Sequence, residues 1–378
     1  MVLTTLVLGG GPIALPAQSS FQVTPMAQAV LLGTHADPVP LGGARTEVRV
    51  VQPVLMVEAR ALQGRLRGTA TLDFESLTIP GGELTPGAWG EGFVDRRHPH
   101  TTVHELNIAA VDLLGGLDGR GRLGVVIGKG FVPFGTDDPM SRPLSRYPVN
   151  HHLSQILERA IAVAQYDVSS VTLEGALFNG DEPERPGQWP LLKRADGGWR
   201  FGDSWSVRAT VRSRRGLELQ GSRATVHSPE HRPGAGGDAI KSSASVRWHD
   251  TPAWGERYLM AEWARTSELA RFFVFHSVLV EAMLRQGRWS LHTLRLATER
   301  AAPGRRLQVM LFAEGTLGRV KKLDAGIFDP VGLYGTTWVR QLSGGVTVGW
   351  GMRGHRMGRY GVLAGADAGH AMQDMEQH

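Results

Sequence analysis

The chain has 378 residues, 49 of them glycine and none cysteine, with 42% hydrophobic content and a formal net charge of +5. Without cysteine there are no disulfides, thiolate metal sites or cysteine nucleophiles, and the composition excludes collagen, coiled coil and polar low-complexity disorder. Only five basic residues are lysine (Lys129, Lys193, Lys241, Lys321, Lys322), and the arginines are spread along the chain with no basic stripe. Despite a pI of about 9.8 no nucleic-acid partner is expected. The length suits two or three soluble domains or one large barrel.

In chain order, residues 1–17 are uncharged and apolar and end in small residues before Gln18. They read as a signal peptide cleaved after Ala17. Beyond them no run of 18 apolar residues occurs, so no membrane-spanning helix is expected. Helical spacing is scarce and period-two alternation recurs. Over 65–75, Leu66, Gly68, Ala70, Leu72 and Phe74 share one face, and Arg65, Arg67, Thr69, Thr71, Asp73 and Glu75 the other. Over 204–212, Trp205, Val207, Ala209 and Val211 oppose Ser204, Ser206, Arg208, Thr210 and Arg212. Near the end, Val346, Val348 and Trp350 oppose Thr347, Gly349 and Gly351. Similar runs cover 101–114, 121–131, 171–178, 217–225, 242–250, 257–265, 272–285, 289–299, 306–314, 333–342 and 359–367.

Long gaps (34–43, 77–100, 132–158, 179–203, 226–241) alternate with short ones (60–64, 115–120, 168–170, 214–216, 251–256), a sorting that fades after residue 300. Transmembrane barrels close one end with tight turns and carry long loops at the other, whereas a soluble sandwich has no reason to sort its connections. The expectation is an all-β, antiparallel up-and-down transmembrane barrel of 16 to 18 strands over residues 18–370, in a Gram-negative outer membrane, with a polar tail at 371–378. A closed sheet pairs its backbone without a long apolar segment, which suits a mean hydropathy of −0.16. Arg65, Arg67, Arg208 and Arg212 then point into the lumen. Trp89, Trp199, Trp205, Trp248, Trp254, Trp263, Trp289 and Trp338 fall near strand ends or in loops, as interfacial girdles require.

The segment VVIGKGFVPFGTDDPMSRP (125–143), then LERA (157–160) and LFNGDEPE (177–184), resembles the phosphate-selective porin O and P family. The resemblance rests on Gly128, Lys129, Phe131, Pro133, Phe134, Gly135, Glu158, Arg159, Phe178, Asn179 and Gly180. It implies a water-filled channel for small hydrophilic solutes, often anions such as phosphate. It also implies a homotrimer surrounded by lipid and lipopolysaccharide and assembled by outer-membrane machinery. The chain departs from outer-membrane barrels that end on a terminal aromatic, since its last aromatic is Tyr360.

Loop 132–158 is the longest gap and carries Asp137, Asp138, Arg142, Arg146, His151 and His152 among four prolines. With Lys129 and Arg159 these are the candidate constriction and solute-binding residues, since opposed acids and bases across a pore set a transverse field. HHLSQILERA (151–160) reads as a short helix in the lumen; a solvated surface loop is the competing reading. His98, His100 and His104 share a face at even spacing, but with only Asp95 and Glu105 nearby they read as solvent-exposed loop histidines. The Met and His residues of GHAMQDMEQH read as a disordered tail. No metal or other cofactor is expected. GRGRLG (119–124) opens a strand, where a dinucleotide fingerprint needs a helix, and reads as a turn. GDSW (202–205) with Asp367 and His370 sketches a hydrolase triad of Ser204, His370 and Asp367, but Ser204 begins a mid-chain strand. The expectation is therefore a non-enzymatic channel; the alternatives are a barrel hydrolase and a structural or adhesive barrel with a plugged lumen.

Overall fold

The computed structural model describes residues 21–360 apart from 40, 81–99, 115–120, 137–154, 184, 193–196, 214, 228–237, 251–255, 269–272, 287–288, 292–294, 301–306, 320–329 and 352–355. Among these, sixteen strands run in order: β1 (Gln22–Asp37), β2 (Arg45–Ala61), β3 (Leu66–Asp73), β4 (Val103–Ala110), β5 (Arg122–Gly130), β6 (Arg159–Val168), β7 (Val171–Phe178) and β8 (Ser204–Arg212). There follow β9 (Leu217–Val226), β10 (Ala239–Asp250), β11 (Glu256–Glu268), β12 (Phe273–Gln286), β13 (Trp289–Leu291), β14 (Arg295–Arg300), β15 (Leu307–Arg319) and β16 (Trp338–Trp350). Each pairs antiparallel with its chain neighbours, and β1 pairs with β16 from Ala27↔Trp350 to Asp37↔Arg340, closing the barrel. Closure leaves no strand edge exposed.

The faces are inverted relative to a soluble barrel. On β8, Ser204, Ser206, Arg208 and Thr210 are buried, while Trp205, Val207 and Val211 are exposed. On β7, Thr172 and Glu174 are buried and Leu173 and Leu177 exposed. The exposed apolar set runs around the wall through Leu31, Leu55, Leu72, Ile108, Ile127, Leu219, Leu259 and Val348. A polar inside and an apolar outside on a closed sheet is the arrangement a barrel needs to stand in hydrocarbon.

Most of the boundaries expected from the sequence recur: connections 38–44, 74–102, 131–158, 179–203 and 227–238 join strands at one rim, and 62–65, 111–121, 169–170, 213–216 and 251–255 at the other, where 111–121 is the exception to short closure. The sorting breaks earlier than expected, at connections 269–272 and 292–294, and a long one returns at 320–337. The run 289–299 is two strands, β13 and β14; of the run 333–342 only 338–342 is strand, continuous with 346–350 in β16, because Pro330–Tyr334 forms a short helix. Residues 155–160 form no helix: Gln155–Leu157 lack regular structure, and Arg159 and Ala160 already pair with β5. Arg159 sits opposite Gly130, and that pairing holds the segment extended. Arg359 and Tyr360, expected to open a strand, lie inside the barrel instead, because β1 and β16 have already closed the sheet. Trp205, Trp248, Trp289 and Trp338 lie near strand ends, but Trp263 is in the middle of β11. Residues 1–17, 371–378, Trp89 and Trp254 lie outside the described residues.

Candidate functional site

Among the described residues, two segments beyond the wall run through the barrel interior. The first leaves β5 through Phe131, Val132, Phe134, Gly135 and Thr136, all buried. Its starting geometry depends on Gly128, whose φ of +139° and close approach to Leu106, with a built Cβ 2.3 Å from that carbonyl oxygen, leave no room for a side chain. Phe131 packs with Met26, Val54, Met56, Leu157 and Met357, an apolar patch on the inner wall of β1 and β2. The chain then reaches the opposite wall. The Gly135 amide donates to Ser222 Oγ on β9 at 3.0 Å, and the Thr136 amide and hydroxyl both donate to Glu262 on β11.

The second segment, Arg356–Tyr360, lies beyond β16 and is buried throughout. Arg356 makes paired hydrogen bonds to Glu218 at 2.9 and 3.1 Å. Arg359 donates to the Thr136 carbonyl at 2.7 Å and to Thr210 Oγ1 at 3.0 Å. The Tyr360 hydroxyl donates to the Phe131 carbonyl at 2.9 Å and accepts from the Phe131 amide at 3.1 Å. Burial pushes that phenol's pKa well above its ordinary range. Arg208 ties wall to both segments: a fork onto Glu174 at 2.6 and 2.7 Å, then Gly135 O at 3.3 Å and Gly358 O at 2.8 Å. A planar guanidinium with five donors suits this four-way junction.

A second charged cluster lies between β3, β4 and the end of loop 131–158. Glu158 Oε1 accepts from the Thr101 amide at 2.9 Å and the Thr101 hydroxyl at 2.6 Å, and meets His104 Nδ1 at 2.7 Å. His100 stands between two acids, its Nδ1 3.8 Å from Glu158 and its Nε2 3.8 Å from Glu75. Asp73 Oδ1 accepts from the Glu75 amide at 2.7 Å, and Thr71 donates to Glu105 at 2.8 Å. Lys129 donates to Thr101 Oγ1 and stands 5.6 Å over the Trp189 ring. Burial alone would depress the His100 pKa, but contact with Glu158 and the charges of Glu75 and Asp73 outweigh it and push it up to about 10. Burial alone would raise the Glu158 carboxyl, but the His104 and His100 imidazoles hold it well below the usual carboxylate range.

Backbone irregularities aim these groups. Thr71 pairs with Glu105 but Leu72 with Val103, so His104 is the extra residue of a β-bulge. In a regular strand His104 would share the outward face of Leu106 and Ile108; the bulge turns it inward beside Glu105. Glu158 has a φ of +57°, rare for a residue with a side chain.

The expected site residues divide accordingly. Asp137, Asp138, Arg142, Arg146, His151 and His152 lie outside the described residues, as do His98, Asp95, Asp367 and His370. Lys129 and Arg159 are buried, the latter bonded to the Leu157 carbonyl at 2.9 Å and Glu182 at 3.3 Å. Arg212 donates to Thr172 at 3.0 Å, and Arg67 is half-buried and donates to the Gly64 carbonyl at 3.2 Å. Arg65 is exposed near the β2–β3 turn, 3.8 Å from Asp112, because β3 begins one residue later. His100 and His104 are buried and not exposed loop residues; their carboxylate partners Asp73, Glu75 and Glu158 come from other parts of the chain. Ser204 Oγ donates to Asp203 at 2.8 Å and accepts from the His227 amide at 2.9 Å, which ties it into the local fold. The motif residues quoted above converge: Asn179, following Phe178, accepts from the Ala160 amide at 2.7 Å, next to Glu158 and Arg159.

No protein-family model and no curated protein matches the chain. Similar solved structures include an anion-selective porin from Comamonas acidovorans, with 10% identity, 87% of this chain and 100% of that one covered, and a TM-score of 0.38. Another is a porin structure refined at 1.8 Å, with 10% identity, coverage of 87% and 100%, and a TM-score of 0.40. A third is OccK2 (OpdF) of Pseudomonas aeruginosa in complex with glucuronate, with 11% identity, coverage of 87% and 95%, and a TM-score of 0.40. The closed barrel itself rests on this chain's own strand pairing.

Proposed function

We propose that the chain is an outer-membrane channel for passive diffusion of small hydrophilic solutes, anions such as phosphate included. The observation that carries this reading is a closed barrel with an apolar outer face and a charged inner wall, crossed by residues 131–136 between β5 and β11. A segment crossing the interior supports a role for loop 132–158 in setting the bore, with Asp137, Asp138, Arg142, Arg146, His151 and His152 beside the solute path. The charged lining beside it pairs Arg208 and Arg359 with Glu174, and Arg356 and Arg359 with Glu218. Lys129, Arg159, Arg67 and Arg212 add positive charge toward the lumen, and the barrel works as a homotrimer.

Planar-bilayer conductance of the refolded protein tests the reading. Discrete ion-conducting steps are expected, and deletion of residues 137–150 should enlarge them. A reversal potential toward the anion in a salt gradient, and block by millimolar-range phosphate, would support the solute class. A barrel that migrates heat-modifiably on a gel yet conducts no ions would overturn the channel reading in favour of a plugged structural barrel.

A further inference from the structure

Asp73, Glu75, Glu105 and Glu158 are all buried near His100 and His104, and Lys129 donates to Thr101 at the edge of the group. One donor atom each from His100, His104 and Glu158 lies within 4.8 Å of the others. Glu158 Oε2 accepts no hydrogen bond among the described residues, although Glu158 is fully buried, and His100 Nδ1 stands 3.8 Å from it. An unsatisfied buried carboxylate oxygen is costly unless something meets it.

We propose that His100, His104 and Glu158 bind a divalent transition-metal ion of the zinc class. Two imidazoles and a carboxylate are a borderline-soft donor set that suits zinc over magnesium or calcium. Zinc ligands bonded at about 2.0 Å in a tetrahedron stand roughly 3.3 Å apart. Donors already within 4.8 Å of one another stand close to that spacing. Three protein ligands leave a fourth position for water or a passing solute donor.

The surroundings match what metal ligands need behind them. With His100 Nδ1 toward Glu158, its Nε2 faces the Glu75 carboxylate at 3.8 Å, the carboxylate–histidine–metal arrangement that fixes tautomer and ring direction. Thr101 holds Glu158 Oε1 with amide and hydroxyl, leaving Oε2 as the free oxygen. The bulge at His104 and the positive φ of Glu158 are backbone irregularities whose common effect is to bring these groups together.

The test is metal uptake by the refolded full chain in detergent, with Zn2+ by calorimetry and Co2+ by visible absorption. One ion per chain is expected, with a nitrogen-ligated four- or five-coordinate Co2+ spectrum that one equivalent of Zn2+ abolishes. Glu158→Gln, which keeps the shape and the Thr101 contacts, and His104→Asn should each weaken Zn2+ binding at least 100-fold. Thr101→Val should weaken it about 10- to 100-fold through the carboxylate it orients. His227→Ala, at an exposed histidine paired with Asp238, should leave it unchanged. Uptake that survives in both ligand variants, or a folded wild-type chain that binds no Co2+ above the level of a histidine-free detergent control, overturns the proposal. Should a variant fail to fold, the wild-type Co2+ spectrum decides alone.

Discussion

On the β7–β9 side of the interior, Arg208 and Arg356 each meet a glutamate through a two-pronged fork, and Arg359 lies 3.7 Å from both Glu174 and Glu218. On the β3–β5 side, four buried acids face two imidazoles and Lys129, and one carboxylate oxygen of Glu158 accepts no hydrogen bond among the described residues. Both clusters join the wall to the segments inside it. The first is built from always-charged guanidiniums whose planar forks saturate the carboxylates, which is how a buried ion pair becomes a joint. The second is built from groups that exchange protons or accept metals, and its geometry is incompletely saturated. The contrast separates a mechanical junction from a place where something binds.

The largest expected effect comes from breaking the saturated cluster. Arg208→Ala leaves Glu174 buried without its fork and should destabilise the folded barrel by about 3–5 kcal/mol, read as a lowered denaturant midpoint. Replacing Arg208 and Glu174 together by methionine and leucine should recover most of that loss; a double variant as weak as the single one would show that the pair is not the source. On the other side, His104→Ala leaves Glu158 its two Thr101 hydrogen bonds, so the metal-free protein should lose less, about 1–3 kcal/mol. An equal loss at both sites would erase the distinction between the clusters. Tyr360→Phe deletes the hydroxyl that serves the Phe131 amide and carbonyl. It should cost about 1–2 kcal/mol and raise hydrogen exchange at the Phe131 amide, with little change at β1–β2 amides. Arg65→Ala, at an exposed turn, should change stability by less than about 0.5 kcal/mol.

Much of the wall was legible in the residues. The faces of β3 and β8 follow from period two alone, and the bounds of loop 131–158 and connection 179–203 fell within a residue of their expected places. Lys129 and Arg159, which flank the loop, were singled out by the motif resemblance and not by the alternation. His104 was not legible as an inward residue, since a bulge shifts the face without leaving a mark in the apolar pattern. Its acids were invisible for another reason: Glu158 lies 54 residues from His104, and nothing local links them. Arg359 and Tyr360 looked like the opening of one more strand over 359–367, because a few residues alternate equally well on a strand or along an extended segment.

The sequence by itself determined the class of sheet and which side chains face which way, since the geometry of an extended backbone sends alternate residues to opposite faces whatever surrounds them. The inverted polarity follows too, because a closed sheet in lipid must carry its polar groups inward. The contents of the interior were decided only by tertiary structure. Once β1 pairs with β16, residues hundreds of positions apart share one interior, where each buried charge must find its partner among whatever the closed barrel brings within reach. Arg208 finds Glu174, Gly135 and Gly358 in that space, and His100, His104 and Glu158 find one another.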